Sequence, residues 1–195
     1  RVATVRRRLA DQGPVIFVLA GDLLSPSLLS KYYNGRQMVE ALDSARLDYA
    51  IFGNHEFELP VDTLDARIAE SKFKWISSNC TLADGTPFPK VLPWDTVHVS
   101  GFLVGLFGLT LQNPYRKQVH CTDPDSAAHT AIDTLAALGA HLIVGITHQT
   151  IQADHELLGR EPRLDLILGG HEHEAHDSVV SGRHVLKADA NSRTA

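Results

Sequence analysis

Short continuous apolar runs alternate along this chain with segments whose apolar residues recur every three or four positions. A run of four to six apolar residues has the form of a strand covered on both faces, whereas the longer period belongs to a helix with one buried stripe. Val2, Val5 and Leu9 recur at helical spacing among arginines until Gly13-Pro14 closes the segment, so a helix is expected to open the chain. Strands are predicted at residues 15–20, 49–52, 75–78, 141–146 and 164–168, and helices at 37–45, 61–71 and 126–138. Two hairpins complete the pattern, 97–99 with 102–109 turning at Ser100-Gly101, and Val179-Val180 with 184–187 turning at Ser181-Gly182-Arg183. This β-loop-α alternation predicts one α/β domain over residues 1–195, with strands 15–20, 49–52, 141–146 and 164–168 buried side by side and their carboxyl ends on one rim.

The polar residues left over by that pattern fall at equivalent places. Asp22 follows strand 15–20, Asn54-His55 follow strand 49–52 in "GNHEFELP", His148 follows strand 141–146 in "THQ", and His171 with His173 follow strand 164–168 in "GGHEHE". In α/β sheets the loops beyond the carboxyl ends gather around the ligand. Gly169 and Gly170 are expected to turn the chain there through positive φ and to leave room for a close approach.

Composition narrows the function classes. Across 195 residues, 18 Lys and Arg stand against 23 Asp and Glu, a net charge of −5, and the only basic run is Arg6 to Arg8, which argues against nucleic-acid binding. The longest apolar stretch, residues 102–111, falls short of the roughly 18–20 residues that span a bilayer, so no membrane span is expected. Cys80 and Cys121 form no CxxC pattern; two unpaired core thiols are expected, with a single disulfide as the alternative. The 11 histidines are numerous, and several sit in loop-like positions beside Gly, Asn or Asp, which points to metal or acid–base chemistry. The chain begins at Arg1 without a signal-peptide pattern, so its compartment is not legible.

Carboxylate, amide carbonyl and imidazole donors with no thiolate suit borderline divalent ions such as Zn, Mn or Fe. The two oxygens of Asp22 suit it to bridge two cations at the roughly 3.5–4 Å spacing of dinuclear hydrolytic sites, where a shared water loses its proton near neutral pH. Phosphate esters are the electrophiles that best match such a pair.

The order Gly21-Asp22, "GNHEF" (53–57), Thr147-His148 and "GGHEH" (169–173) resembles the calcineurin-like metallophosphoesterases, and among them the catalytic domain of the 5'-nucleotidase and 2',3'-cyclic phosphodiesterase group. The resemblance runs through most of the chain and implies a four-layer α/β/β/α sandwich with two divalent metal ions at the rim. Asp22 is implied to bridge them, with Asn54, His148 and His171 completing one coordination sphere and His173 belonging to the other. His55 is implied to stabilise the phosphoryl transition state or protonate the leaving oxygen, oriented by Glu58, which stands where the group usually carries Asp. The substrate implied is a nucleotide or related small phosphate ester, and the address periplasmic or extracellular.

Two departures qualify this expectation. No D-x-H precedes Asp22, although the family opens with that motif on its first strand and draws second-metal ligands from it. The sequence is therefore read as incomplete at its amino end, lacking the first strand, with one tight metal site and a second position left to Asp22 and His173. The carboxy-terminal domain that carries substrate aromatics in the group is also absent. The alternative is a non-catalytic domain of the same fold that binds one metal and serves as an interaction module.

Other readings of the histidines fail on single positions. Ala175 occupies the Asp position of an H-x-H-x-D-H dinuclear motif and the final His of H-E-x-x-H. His98, His120, His129, His141 and His184 are expected to be structural or exposed. His155 could share a helix face with His148 but is expected at the surface, and His176 is a candidate to support the metal loop. The segment from Lys187 through Asn191 carries no assigned chemistry.

Overall fold

The computed structural model describes residues 1–112, 117–190 and 193, so Asn191 lies outside the described residues. Helix α1 (Val2–Ala10) leads to β1 (Val18–Ala20), α2 (Ser30–Tyr33), α3 (Arg36–Ser44), β2 (Tyr49–Ile51), α4 (Val61–Glu70) and β3 (Lys74–Ile76). Then come β4 (Cys80–Leu82), β5 (Val91–Leu92), β6 (Trp94–Val99), β7 (Phe102–Thr110), β8 (Val119–Cys121) and α5 (Pro124–Ala137). The chain continues through β9 (Leu142–His148), α6 (Ile151–Arg160), β10 (Leu166–Gly169), β11 (His176–Val180) and β12 (Arg183–Lys187).

Two sheets carry the fold. One is parallel throughout, in the order β1-β2-β3-β5; the other runs β11-β12-β10-β9-β7-β6, with antiparallel strands at both edges and parallel strands within. The two-residue period of each strand sends alternate side chains into different layers. Tyr49 and Ile51 of β2, Val104 and Leu106 of β7, and Val144 and Ile146 of β9 meet between the sheets. Ala50 and Trp75 face outward, onto Val39 and Leu42 of α3 and Leu64 and Ile68 of α4. Phe107, Leu109, Ile143 and Ile167 face the other way, onto Ile132 and Leu135 of α5 and Leu157 and Leu158 of α6. The expected α/β/β/α sandwich is thus present as helix, sheet, sheet, helix. At Gly108 a Cβ would sit 2.6 Å from Ile51 Cγ2 and 2.7 Å from the Ile76 carbonyl, so a side chain there would force the two sheets apart.

The structure corrects several expectations. Cys80 and Cys121 are not free thiols but a disulfide, brought face to face by the antiparallel β4–β8 pair in which they are register partners. Both strands are three residues long, too short to show a period in the sequence. His148 is the last residue of β9 rather than a loop residue, and His155 lies on α6, so the two share no helix face. Helix α6 itself escaped the apolar pattern because its buried side includes Asp154, a fully buried acid. Among the described residues no helix is long and apolar enough to cross a membrane.

The disulfide closes a loop of 41 residues around β5, β6 and β7. Constraining an unfolded loop of that size stabilises a fold by on the order of 2–4 kcal/mol. Reduction, or Cys80→Ser with Cys121→Ser, is therefore expected to lower the unfolding free energy by that amount, obtained from the urea midpoint and slope together; an unchanged unfolding free energy would mean the bridge adds nothing to stability.

Candidate metal centre

The rim is built from both sheets. Gly21 and Asp22 leave β1 in left-handed conformations, at φ 83° and 55°, which turns the Asp22 carboxylate back over the strand ends. Beneath this turn lies Glu56, fully buried. Its Oε2 accepts hydrogen bonds from the backbone N–H of Asp22 (2.8 Å) and of Gly53 (2.6 Å), and its Oε1 from those of Leu23 (2.7 Å) and Leu24 (2.8 Å). One carboxylate thus gathers the amides of the Asp22 turn and of the Asn54 loop. Burial, and then the negative charge of Asp22, push its pKa up, against the pull of those amide dipoles. Spacing gave no hint of this role, because backbone amides leave no mark in a sequence.

Asp22 is itself held from two directions. Its Oδ1 accepts from the His55 backbone N–H at 3.0 Å, and its Oδ2 stands 3.1 Å from His148 Nε2. Burial alone would raise the Asp22 carboxyl; His148 and the His55 amide outweigh that and hold it below the usual carboxylate range. His148 closes the loop of contacts from the other sheet, with Nδ1 2.7 Å from the Ala20 carbonyl. With the ring neutral, Nδ1–H donates there and the Nε2 lone pair faces Asp22; with the ring protonated, Nε2–H is directed at the Asp22 carboxylate. Burial pulls the His148 pKa down, but the adjacent carboxylate and the Ala20 carbonyl raise it further than burial lowers it. His171 meets His148 edge to face at 5.1 Å, and burial followed by the charge of His148 lowers its pKa.

The sequence-predicted residues therefore divide. Asp22, His148 and His171 converge, and Asn54 lies at the same rim, between Gly53, where any Cβ would overlap the Asp22 carboxylate, and His55, whose amide binds it. Asn54 Oδ1 and His148 Nε2 are both buried without a hydrogen-bond partner. His55 Nδ1 lies 2.8 Å from Glu58 Oε1, and Glu58 Oε2 accepts from the Ser25 hydroxyl at 3.1 Å. His173 is exposed, at φ 61°, and among the described residues no hydrogen bond or ion pair joins it to the others.

The turn of "GGHEHE" also differs in its origin. Positive φ falls on His171 (88°) and His173 (61°), not on Gly169 or Gly170. The two glycines serve closeness instead: a Cβ on Gly170 would overlap the Ala20 carbonyl, and one on Gly169 would come within 2.7 Å of Lys187 Cε. Left-handed backbone at non-glycine residues is uncommon and clusters at functional sites.

The remaining histidines have ordinary partners or lie exposed. His155 Nε2 lies 2.6 Å from Ser178 Oγ, His184 Nδ1 2.9 Å from Asp177, and His129 Nδ1 2.9 Å from Glu161, while His141 Nδ1 accepts from the Leu103 amide at 3.0 Å. His98 and His120 are exposed, and His176 begins β11 opposite Lys187 with its Nε2 buried and unpartnered.

Among the described residues no group of three His, Cys, Asp or Glu side chains stands in ligand geometry. What the rim offers a cation is donor chemistry rather than a formed ligand cage: the Asp22 carboxylate 3.1 Å from His148 Nε2, His171 against the His148 ring, and Asn54 Oδ1 buried without a hydrogen-bond partner.

Known proteins share this arrangement of sheets. The profile of the calcineurin-like phosphoesterases matches residues 1–175, and the chain belongs to that family. It is 27% identical over 183 residues to snake venom 5'-nucleotidase of Naja atra, covering 88% of this chain and 34% of that protein. Human 5'-nucleotidase is 26% identical over 183 residues, covering 88% of this chain and 32% of its own length. The solved structure of a 5'-nucleotidase precursor from Thermus thermophilus superposes with a TM-score of 0.83 at 28% identity, over 97% of this chain and 42% of that one. The chain thus spans about a third of the length of the curated relatives it matches.

Proposed function

We propose that this chain carries the catalytic layers of a divalent-metal-dependent phosphoester hydrolase acting on nucleotides or related small phosphate esters. The observation that carries the reading is the pair of buried, unpaired donor atoms, Asn54 Oδ1 and His148 Nε2, beside the Asp22 carboxylate. A buried polar atom without a partner costs about 1–3 kcal/mol, a cost that a cation at this place offsets. Asp22, Asn54, His148 and His171 would hold one ion of the Zn, Mn or Fe type, and Asp22 with His173 would contribute to a second. Such ions supply charge for the phosphoryl oxygens and lower the pKa of water.

The chain's own residues supply the remainder. Glu56 fixes the backbone from which Asp22 and Asn54 project, and the Ala20 carbonyl holds the His148 ring with Nε2 toward the site. Glu58 engages His55 Nδ1, which directs the other ring nitrogen outward, so a proton on Nε2 can be passed to the leaving oxygen of an ester. Relatives named 5'-nucleotidase support nucleotides as the substrate class. The Cys80–Cys121 bridge supports an oxidising compartment, extracellular or periplasmic.

Metal titration by calorimetry beside hydrolysis of an aryl phosphate tests the reading. One tight equivalent of Mn²⁺ or Zn²⁺ is expected, and Asn54→Ala and His148→Ala should each lower its affinity by about tenfold or more. A ligating imidazole must be deprotonated, and His148 is raised above the free value of about 6.5. Affinity is therefore full above that raised value and lost as pH falls through it. Absence of tight binding at every pH from neutral to alkaline at which the chain stays folded would overturn the proposal. Tight binding with no hydrolysis would favour the second reading, a non-catalytic one-metal interaction module.

A further inference from the structure

A buried lysine lies against the loops that carry the rim histidines. Lys187 ends β12 and is only 4% exposed. Its Nζ donates to the backbone carbonyls of Gln149 (2.6 Å) and Gly170 (3.0 Å) and to Glu172 Oε2 (2.5 Å), and it stands 2.8 Å from Asp154 Oδ2. Each of the first three partners is adjacent in sequence to a rim histidine. Gln149 follows His148, Gly170 precedes His171, and Glu172 separates His171 from His173. The other oxygen of Glu172 accepts the backbone N–H of Ile151 at 2.5 Å, which joins the histidine loop to the first turn of α6. Gln149 Nε2 donates to Asp154 Oδ1 at 3.0 Å, and the Gly170 amide donates to the Thr147 carbonyl at 2.9 Å. Gly169 makes the room, since a Cβ on it would lie 2.7 Å from Lys187 Cε and 3.1 Å from Asp154 Oδ2.

A lysine that only neutralised Asp154 would need one carboxylate. This one also spends its donors on main-chain oxygens from two separate segments, and those segments carry His148 and His171. We propose that Lys187 is a positioning residue of the metal centre: by gathering the Gln149 and Gly170 carbonyls and Glu172, it sets the spacing and aim of His148 and His171 from a place that touches neither ring. The inference rests on the metal-dependent reading above. It differs from that reading in what it requires, because the ligands could bind a cation whether or not this lysine arranged them. Groups that orient metal ligands from behind typically change metal affinity by about 10–100-fold when removed.

Two variants separate positioning from charge balance. Lys187→Met with Asp154→Asn removes the ammonium and the buried carboxylate charge together, so thermal stability should return toward that of the parent, above that of Lys187→Met alone. Co²⁺ is the probe, followed by its visible absorption during titration of the metal-free chain. The paired variant is expected to bind Co²⁺ about tenfold or more weakly, with an altered ligand-field spectrum. Parent-like affinity and spectrum in the folded pair would overturn the proposal and leave the lysine as a charge balancer. If the pair does not fold, Gly169→Ala carries the test, because its methyl group displaces the lysine stem while every charge stays. Weakening of several-fold is expected there, and affinity within about twofold of the parent overturns the inference. A parent chain that binds no Co²⁺ at all overturns the metal-dependent reading, and this inference with it.

Discussion

Glu56→Ala is expected to lower the stability of the chain by on the order of 3–5 kcal/mol, the range seen when one partner of a buried charged network is removed. Four backbone amides converge on that carboxylate, two on each oxygen. Each buried N–H left without an acceptor costs about 1–3 kcal/mol, so the amides alone exceed the expected net loss. Relief of the buried carboxylate's desolvation, together with water entering the space, returns part of it. Glu56→Gln should fall between, because its amide group would turn two hydrogens toward amides that need an acceptor. Urea unfolding at constant slope measures both changes. A loss below about 1 kcal/mol for the alanine variant, the low end for a single orphaned amide, would show that the Asp22 turn and the Asn54 loop hold their shape without this anion.

His55→Ala is expected to reduce turnover of a phosphate ester by about 10²–10⁴-fold while leaving metal content unchanged. At about 1.4 kcal/mol per factor of ten, that corresponds to roughly 3–5 kcal/mol of lost transition-state stabilisation. The separation of roles follows from geometry. His55 contributes its backbone amide to Asp22, which alanine retains, while its ring faces Glu58 and solvent rather than the Asp22–His148 pair. Asn54→Ala should behave in the opposite sense, losing metal first. Kinetics measured beside metal analysis of the same preparations decides it, and a His55→Ala protein that loses metal as readily as Asn54→Ala would abolish the distinction between ligand and acid.

The α/β alternation was legible because its strands are apolar on both faces and stop at polar turns, as at Ala20-Gly21-Asp22 and Leu168-Gly169-Gly170, whereas the four layers were legible only through the resemblance of the motifs to a family. Within a sheet, parallel strands place their carboxyl ends together, which brings His148 and His171 to one end of β9 and β10; the expectation that all four strands lie side by side fails, because β1 and β2 belong to the other sheet and Asp22 meets His148 across the sandwich. What escaped the sequence was whatever depends on the backbone or on buried charge. Glu56 works through main-chain amides, and Lys187 through main-chain oxygens, so neither has a partner that a motif could display. Asp154 hid a whole helix by placing a charge on its buried face. The disulfide was missed because two three-residue strands, remote in sequence, had to pair before the cysteines could meet.

Asp22 belongs to the end of one sheet and His148 to the end of the other, and more than half of the chain runs between them. A cation shared by the two is therefore a rivet through the sandwich as well as a reagent. Anything that binds only the native form stabilises it by mass action, about 2.7 kcal/mol when its free concentration is a hundred times the dissociation constant. On the proposed reading, metal supply would set the stability of the molecule as well as its chemistry. A copy without its ion would lose that contribution, and resistance to proteases would be expected to rise with free metal concentration.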